Sequence, residues 1–166
     1  MAEMPPFALL GLPARFAIES EEIEEGWRRA IAMVHPDRFA SRPVAERRVA
    51  EQWAGRINEA KEAIENPISR AVTLLKLRGV DVGTETDTKM DMQFLVQQMQ
   101  WREAAESLIS AQAKQALLEE IRSARADEVR LLTDVLDGNG DLAQARQAVR
   151  RLMFIEKIYR DIDREQ

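Results

Sequence analysis

Pro36 constrains this chain more than any other single residue. From Glu21 to Val34, apolar side chains recur at helical spacing, with Ile23, Trp27, Ala30, Ile31 and Val34 on one stripe. The residue before a proline is pushed out of the α region, so this helix must stop at or before His35. A second stripe, Val49, Trp53, Ile57, Ala60 and Ile64, follows a start near Pro43, which suits the first turn of a helix. Two such helices form an antiparallel hairpin with their stripes face to face. The polar tripeptide His35-Pro36-Asp37 is then displayed in the bend at its tip.

Taken by themselves, these three residues admit three readings. His35, the only histidine, and Asp37 can form a general-base dyad, because imidazole titrates near neutral pH. No second histidine, cysteine or evident nucleophile accompanies them. They can also contribute to a metal site, but two candidate ligands without a cluster make a weak one. The third reading is a helix stop in which both side chains satisfy local backbone groups. Without further context the third is favoured.

Composition removes several function classes. The chain has 166 residues, 45% apolar and 32% charged, which suits a helical protein of one or two small domains. It has no cysteine, which excludes disulfides, a thiol nucleophile and a cysteine-ligated metal. No apolar run approaches a membrane span and no secretory signal precedes Phe7, so a cytoplasmic location is the default expectation. The net charge of -5 is unevenly placed: residues 1–79 carry 12 Lys/Arg and 12 Asp/Glu, the remainder 12 and 17. Neither half is a basic footprint for nucleic acid, and the asymmetry suggests two units with different partners.

Along the chain, a short helix is expected from about Phe7 to Gly11. Ser20 is the expected N-cap of the next, with Glu21, Glu22, Glu24 and Glu25 at the positive end of its dipole. Arg28 and Arg29 lie off its apolar stripe. Asn66-Pro67 marks a break, followed by a helix to Leu77 carrying Val72, Leu74, Leu75 and Leu77, with Gly79 as its stop. Residues 80–89, rich in Thr, Asp and Gly, read as a connection. Beyond it lie three long helical patterns: Met92 to Ser110, Ala113 to Asp137 and Leu142 to Asp163. Gly138-Asn139-Gly140 separates the last two, with Asp141 as an N-cap. Short connections imply antiparallel neighbours, so residues 90–166 are expected to form a three-helix bundle. The fold class is all-α.

The first helix of that bundle has more apolar surface than one core can use. At about 100° per residue, Phe94, Gln98, Trp101, Ala105 and Leu108 share one stripe. Met92, Leu95, Val96 and Met99 fall nearly opposite, together with Glu103. In the last helix Leu142, Ala145, Val149, Leu152 and Tyr159 form the inward stripe, with Phe154 on the far side near Ile158. Exposed apolar groups of this kind mark contact sites on small proteins; the alternatives are a patch packed within the protein against the first domain and, for Phe154, a single surface aromatic.

The helix–His-Pro-Asp–helix layout resembles a J-domain, the module that activates DnaK-type chaperone ATPases. Phe7-Ala8-Leu9-Leu10-Gly11-Leu12-Pro13 is similar to its opening helix, His35-Pro36-Asp37-Arg38-Phe39 to its signature loop, and Ile57-Asn58-Glu59-Ala60 with Ile64 to the end of its long third helix. Pro67, Arg70-Ala71, Leu74-Leu75, Leu77 and Gly79 resemble one branch, the HscB-type co-chaperones of iron–sulfur cluster assembly. The similarity runs over essentially the whole chain.

The resemblance implies a J-domain in residues 1–79 and a scaffold-binding domain in 90–166. It implies a co-chaperone, not an enzyme, with no cofactor of its own. His35, Pro36, Asp37, Arg28, Arg29 and Arg38 would contact a DnaK/HscA-type chaperone, with Asp37 meeting one of its arginines. Leu95, Val96, Met99, Glu103 and Phe154 match the surface that binds the iron–sulfur scaffold protein, IscU. Two departures weaken electrostatic steering there: Gln100 and Ser107 stand where relatives can carry acidic side chains. A J-domain protein serving another client would differ only in this second surface.

Overall fold

The fold is that of a computed structural model, which describes residues 4–83 and 90–165. Among the described residues all regular structure is helical: α1 Pro6–Leu9, α2 Ser20–Val34, α3 Pro36–Phe39, α4 Val44–Glu65, α5 Pro67–Leu77, α6 Met92–Glu106, α7 Ala111–Asp137 and α8 Leu142–Arg164. The all-α expectation holds. None of these helices is long and apolar enough to cross a membrane. The chain divides into two compact units, Met1–Arg78 and Gly79–Gln166. Residues 84–89 of the expected connection lie outside the described residues.

In the first unit, α2 packs against α4, and α1 and α5 also pack on α4. The α2–α4 pairing is antiparallel. Trp27 Nε1 donates to Asn58 Oδ1 at 2.8 Å, and one turn earlier on α2 Glu24 meets Lys61 at 3.2 Å, one turn later on α4. The Lys61 ammonium also sits 4.4 Å from the centre of the Trp27 ring. Hydrophobic residues buried between the helices include Ile23, Ala50, Ile57, Ala60 and Ile64.

Several local expectations shift. Glu19, not Ser20, is the N-cap of α2, and Ser20 is already helical. Pro43 is the N-cap of α4, and its first turn starts at Val44. Val49 is exposed and Ala50 takes its inward place, because Ala50 stands seven residues before Ile57 and fourteen before Ile64, nearly in line with both, whereas Val49 falls about 80° from Ile57. Leu77, at the end of α5, is exposed. Gly26 is buried in α2 although no apolar count marks it. A Cβ there would lie 2.6 Å from the Leu10 carbonyl oxygen, so its absence lets the 10–12 segment close onto α2.

Arg70 ties this unit together. It is the buried charged residue among the described residues; its Nε donates to the Ile64 carbonyl at 2.7 Å and its Nη1 to the Phe16 carbonyl at 2.8 Å. The first of these is an otherwise orphaned carbonyl in the last turn of α4. One guanidinium thus caps α4 and anchors the loop before α2.

The second unit is a three-helix bundle. α7 and α8 run antiparallel, with Arg122 bonded to Tyr159, Arg125 to Glu156 and Arg151 to Glu128. Asn139 adopts φ 59° in the tight turn between them, a conformation asparagine tolerates. α6 packs on the pair, burying Phe94 and Trp101 in a cluster with Leu117, Leu118, Ile121, Ile155, Ile158 and Ile162. Ile158 is therefore core rather than part of an outward group. Leu108 and Tyr159 pack at the cluster's edge. Asp81, Val82 and Gly83 also belong to this unit: Arg146 Nε donates to the Asp81 carbonyl at 2.9 Å, and Val82 is buried.

Candidate functional site

The hairpin tip is more ordered than an open bend. His35 has φ -57° and ψ 137°, the extended conformation a following proline favours, and it ends α2 while opening α3. Pro36 occupies the first helical position of α3, where a missing N–H costs nothing. His35 Nδ1 accepts the Asp37 amide N–H at 3.2 Å, and the Arg38 amide donates to the His35 carbonyl at 2.9 Å. The imidazole is thus the N-cap of a single helical turn. In its neutral form the ring then carries its proton on Nε2.

This geometry does not build a dyad. The Asp37 carboxylate stands 3.7 Å from the same Nδ1 that already accepts the amide proton, and its side chain is 93% exposed. Among the described residues no group of three or more His, Asp or Glu side chains is placed to hold a metal ion. The Asp37 carboxylate instead stands exposed on a turn that the His35 ring caps. Arg38 reaches back to the Ala32 carbonyl at 3.5 Å, near the negative end of α2.

Arg28 and Arg29 are both exposed on α2. Arg28 lies 3.6 Å from Glu24, which also accepts from Lys61. That hydrogen bond, opposed in part by desolvation, holds the Lys61 ammonium above the ordinary lysine range. Met33, one turn beyond Arg29 on the same side, is also exposed, a neighbour the sequence reading did not single out. Its signal was there: it falls outside the inward stripe.

In the second unit, apolar side chains surround α6 so evenly that the helix has almost no amphipathic direction. Phe94 and Trp101 point into the core, whereas Met92, Leu95, Val96 and Met99 are exposed. Glu103 is exposed on the same outward side. Phe154 on α8 is exposed as well.

The register of α6 and α8 brings part of this set together. Asp91, which caps α6 through the Phe94 amide at 2.8 Å, lies 3.6 Å from Arg151 on α8. Farther along, Arg102, Ala105 and Glu106 of α6 line a shallow cavity with Ile158, Asp161, Ile162 and Glu165 of α8 and its end. The two helices therefore run parallel. Leu95, a turn beyond Asp91, stands level with Phe154, a turn beyond Arg151. Leu95 also shares its side of α6 with Arg102, two turns on, and Phe154 shares its flank of α8 with Ile158. Leu95, Met99 and Phe154 thus border one seam, while Val96 and Glu103 lie on the adjoining outward side of α6. Met153, exposed but turned about 100° from Phe154, is outside it.

The chain is similar to known proteins over its whole length. Residues 90–163 match a family described as the HSCB C-terminal oligomerisation domain. A co-chaperone protein HscB homolog of Bordetella parapertussis is 44% identical over 167 residues, covering 100% of this chain and 98% of that protein. One from Burkholderia mallei is 45% identical over 159 residues, covering 94% and 90%. Chaperone HscB from Vibrio cholerae superimposes with a TM-score of 0.80 at 31% identity, over 97% of this chain and 96% of that one. Human co-chaperone protein HscB shares the fold with a TM-score of 0.87 at 23% identity, over 98% and 84%. With such identity sustained from end to end, an all-helical fold shared with solved HscB structures and a His-Pro-Asp turn at the tip of its hairpin, the chain belongs to the HscB family of co-chaperones.

Proposed function

We propose that the protein carries an IscU-type iron–sulfur scaffold to a DnaK/HscA-type chaperone and stimulates that chaperone's ATPase, promoting maturation of iron–sulfur proteins in the cytoplasm. The observation that carries this reading is the apolar side of α6, where Leu95, Val96 and Met99 are exposed away from their own bundle core. An apolar stripe a bundle does not cover is suited to a protein partner.

In this reading the scaffold docks on Leu95, Val96, Met99 and Phe154, with Glu103 at the rim setting approach and register. The chaperone docks on the hairpin. Asp37 offers both carboxylate oxygens to an arginine of the ATPase domain, a charge-assisted pairing favoured by fork geometry. His35 and Pro36 keep that carboxylate in place, and Arg28, Arg29 and Arg38 face the chaperone's acidic surface. The protein makes and breaks no bonds. Its contribution is to hold client and ATPase activator on one chain, so that the second encounter occurs at a raised effective concentration.

The test is chaperone ATPase measured with and without scaffold. Asp37→Asn and His35→Gln are expected to lose stimulation while still binding scaffold. Normal stimulation by Asp37→Asn refutes the assignment of the turn.

A further inference from the structure

The flank of the second unit turned away from Phe154 carries a feature the two faces above do not use. Arg122 and Arg125 of α7 line one open groove with Glu156, Tyr159 and Arg160 of α8. Glu156 is two residues from Phe154, so helical geometry places it about 160° around α8 from the seam. The Arg122 guanidinium stacks 5.3 Å from the Tyr159 ring centre, and its Nε donates to the Tyr159 hydroxyl at 2.9 Å. Having accepted there, the hydroxyl still has its own proton to donate. Arg125 Nε donates to Glu156 at 3.0 Å.

Three guanidiniums therefore share this groove with one carboxylate, in a half of the chain where acids outnumber bases by 17 to 12. Lys157 and Arg164, both exposed, flank Arg160 along α8, with the exposed Asp163 one turn from Arg160 and Tyr159. The span of these cations is longer than one small anion needs, and the tyrosine ring with the arginine stems gives the groove apolar walls that can cover a side-chain stem. Glu156 shows that a planar carboxylate fits among these guanidiniums; its charge repels a dianionic phosphate more than a second monoanion. The acidic surroundings likewise disfavour a nucleic acid backbone.

We propose that this groove is a docking site for an acidic polypeptide segment of a partner protein, whose carboxylates pair with Arg122 and Arg160 and accept the Tyr159 hydroxyl proton. The site is separate from the scaffold seam and does not depend on the function assigned to it.

Tyr159 is the only tyrosine in the chain, so its ring resonances report on the groove alone. The full-length protein is titrated with a short Asp/Glu-rich peptide and followed by NMR of that ring and of the arginine Nε–H groups. Saturable shifts are expected at low salt. They should weaken roughly tenfold between about 50 and about 300 mM salt, as a partly exposed charge pairing does. The Arg122→Glu, Arg160→Glu double variant should abolish them with helicity unchanged, and Tyr159→Phe should weaken binding a few-fold. Absence of saturable shifts, or equal shifts in the charge-reversed variant, overturns the proposal. So does inorganic phosphate producing the same shifts at the same concentration, which makes the groove a small-anion site. Concentration-dependent self-association lost in the double variant overturns it too, since the occupant is then a second copy of this chain.

Discussion

Truncating Leu95, Met99 and Phe154 together to alanine removes the apolar seam while sparing the core cluster beneath it. The magnitude follows from exposure: Leu95 is 41%, Met99 69% and Phe154 41% accessible in the free protein. Full burial of such a side chain is worth about 1.5–3 kcal/mol. Covering the exposed fractions of all three contributes about 3 kcal/mol to docking. At 1.4 kcal/mol per tenfold, the triple variant should bind an IscU-type scaffold about two orders of magnitude more weakly in a calorimetric titration. Stability should change far less, because all three side chains are exposed and alanine is the better helix former. A folded variant that loses less than about fivefold in affinity refutes the seam as the docking surface. A wild-type chain that binds no scaffold, apo or cluster-loaded, removes that client while leaving the hairpin's role standing.

Other residues make equally definite predictions. Arg70→Met leaves the Ile64 and Phe16 carbonyls without their buried donor; the cost is about 3 kcal/mol and should lower the first unit's thermal midpoint by more than about 10 °C, so a wild-type melting curve contradicts the capping role. Arg151→Met breaks the paired bonds to Glu128 and the link to Asp91. Amide exchange at the start of α6 should then quicken and scaffold affinity fall, although Arg151 lies outside the seam; unchanged exchange refutes its positioning role. Lys61 titrates above the ordinary lysine range, chiefly because it donates to Glu24. Because its folded pKa is raised, its stabilising contribution is complete below the unfolded value and is lost as pH rises through the folded one. Glu24→Gln should bring the Nζ titration, followed by ¹⁵N NMR, back down; an unmoved midpoint rules Glu24 out as the cause.

The helical layout was legible because its signals are local. Pro36 and Asn66-Pro67 end helices through backbone sterics, and Phe94 with Trp101 separate from Leu95, Val96 and Met99 by angle alone. Finer placement failed where neighbours decide. Ala50 lies in line with Ile57 and Ile64, yet its small side chain is a weaker apolar signal than the valine beside it. Glu19 caps α2 with its backbone and makes no side-chain cap bond, so the capping hydroxyl signal of Ser20 falls one residue late. Arg70 reads as an ordinary helical arginine until the fold brings the Phe16 carbonyl, 54 residues away, to its guanidinium. The two candidate faces divide in the same way. Asp37 and His35 are visible as a motif, and local backbone bonding is among its readings, but that Nδ1 takes the Asp37 amide proton depends on the folded turn. Leu95 and Phe154 were each visible as misfits, yet their common level depends on the Asp91–Arg151 contact that registers α6 against α8.

The proposed function requires two separate faces to act from one chain. It is tested most directly by chaperone ATPase in the presence of scaffold, using Asp37→Asn, the Leu95→Ala, Met99→Ala, Phe154→Ala variant, and an equimolar mixture of the two. Wild type should stimulate beyond the separate effects of scaffold and co-chaperone. Asp37→Asn should not stimulate, the seam variant should stimulate without the added effect of scaffold, and the mixture should not restore wild-type behaviour. Full restoration by the mixture would contradict the account, because the two faces would then act without being joined.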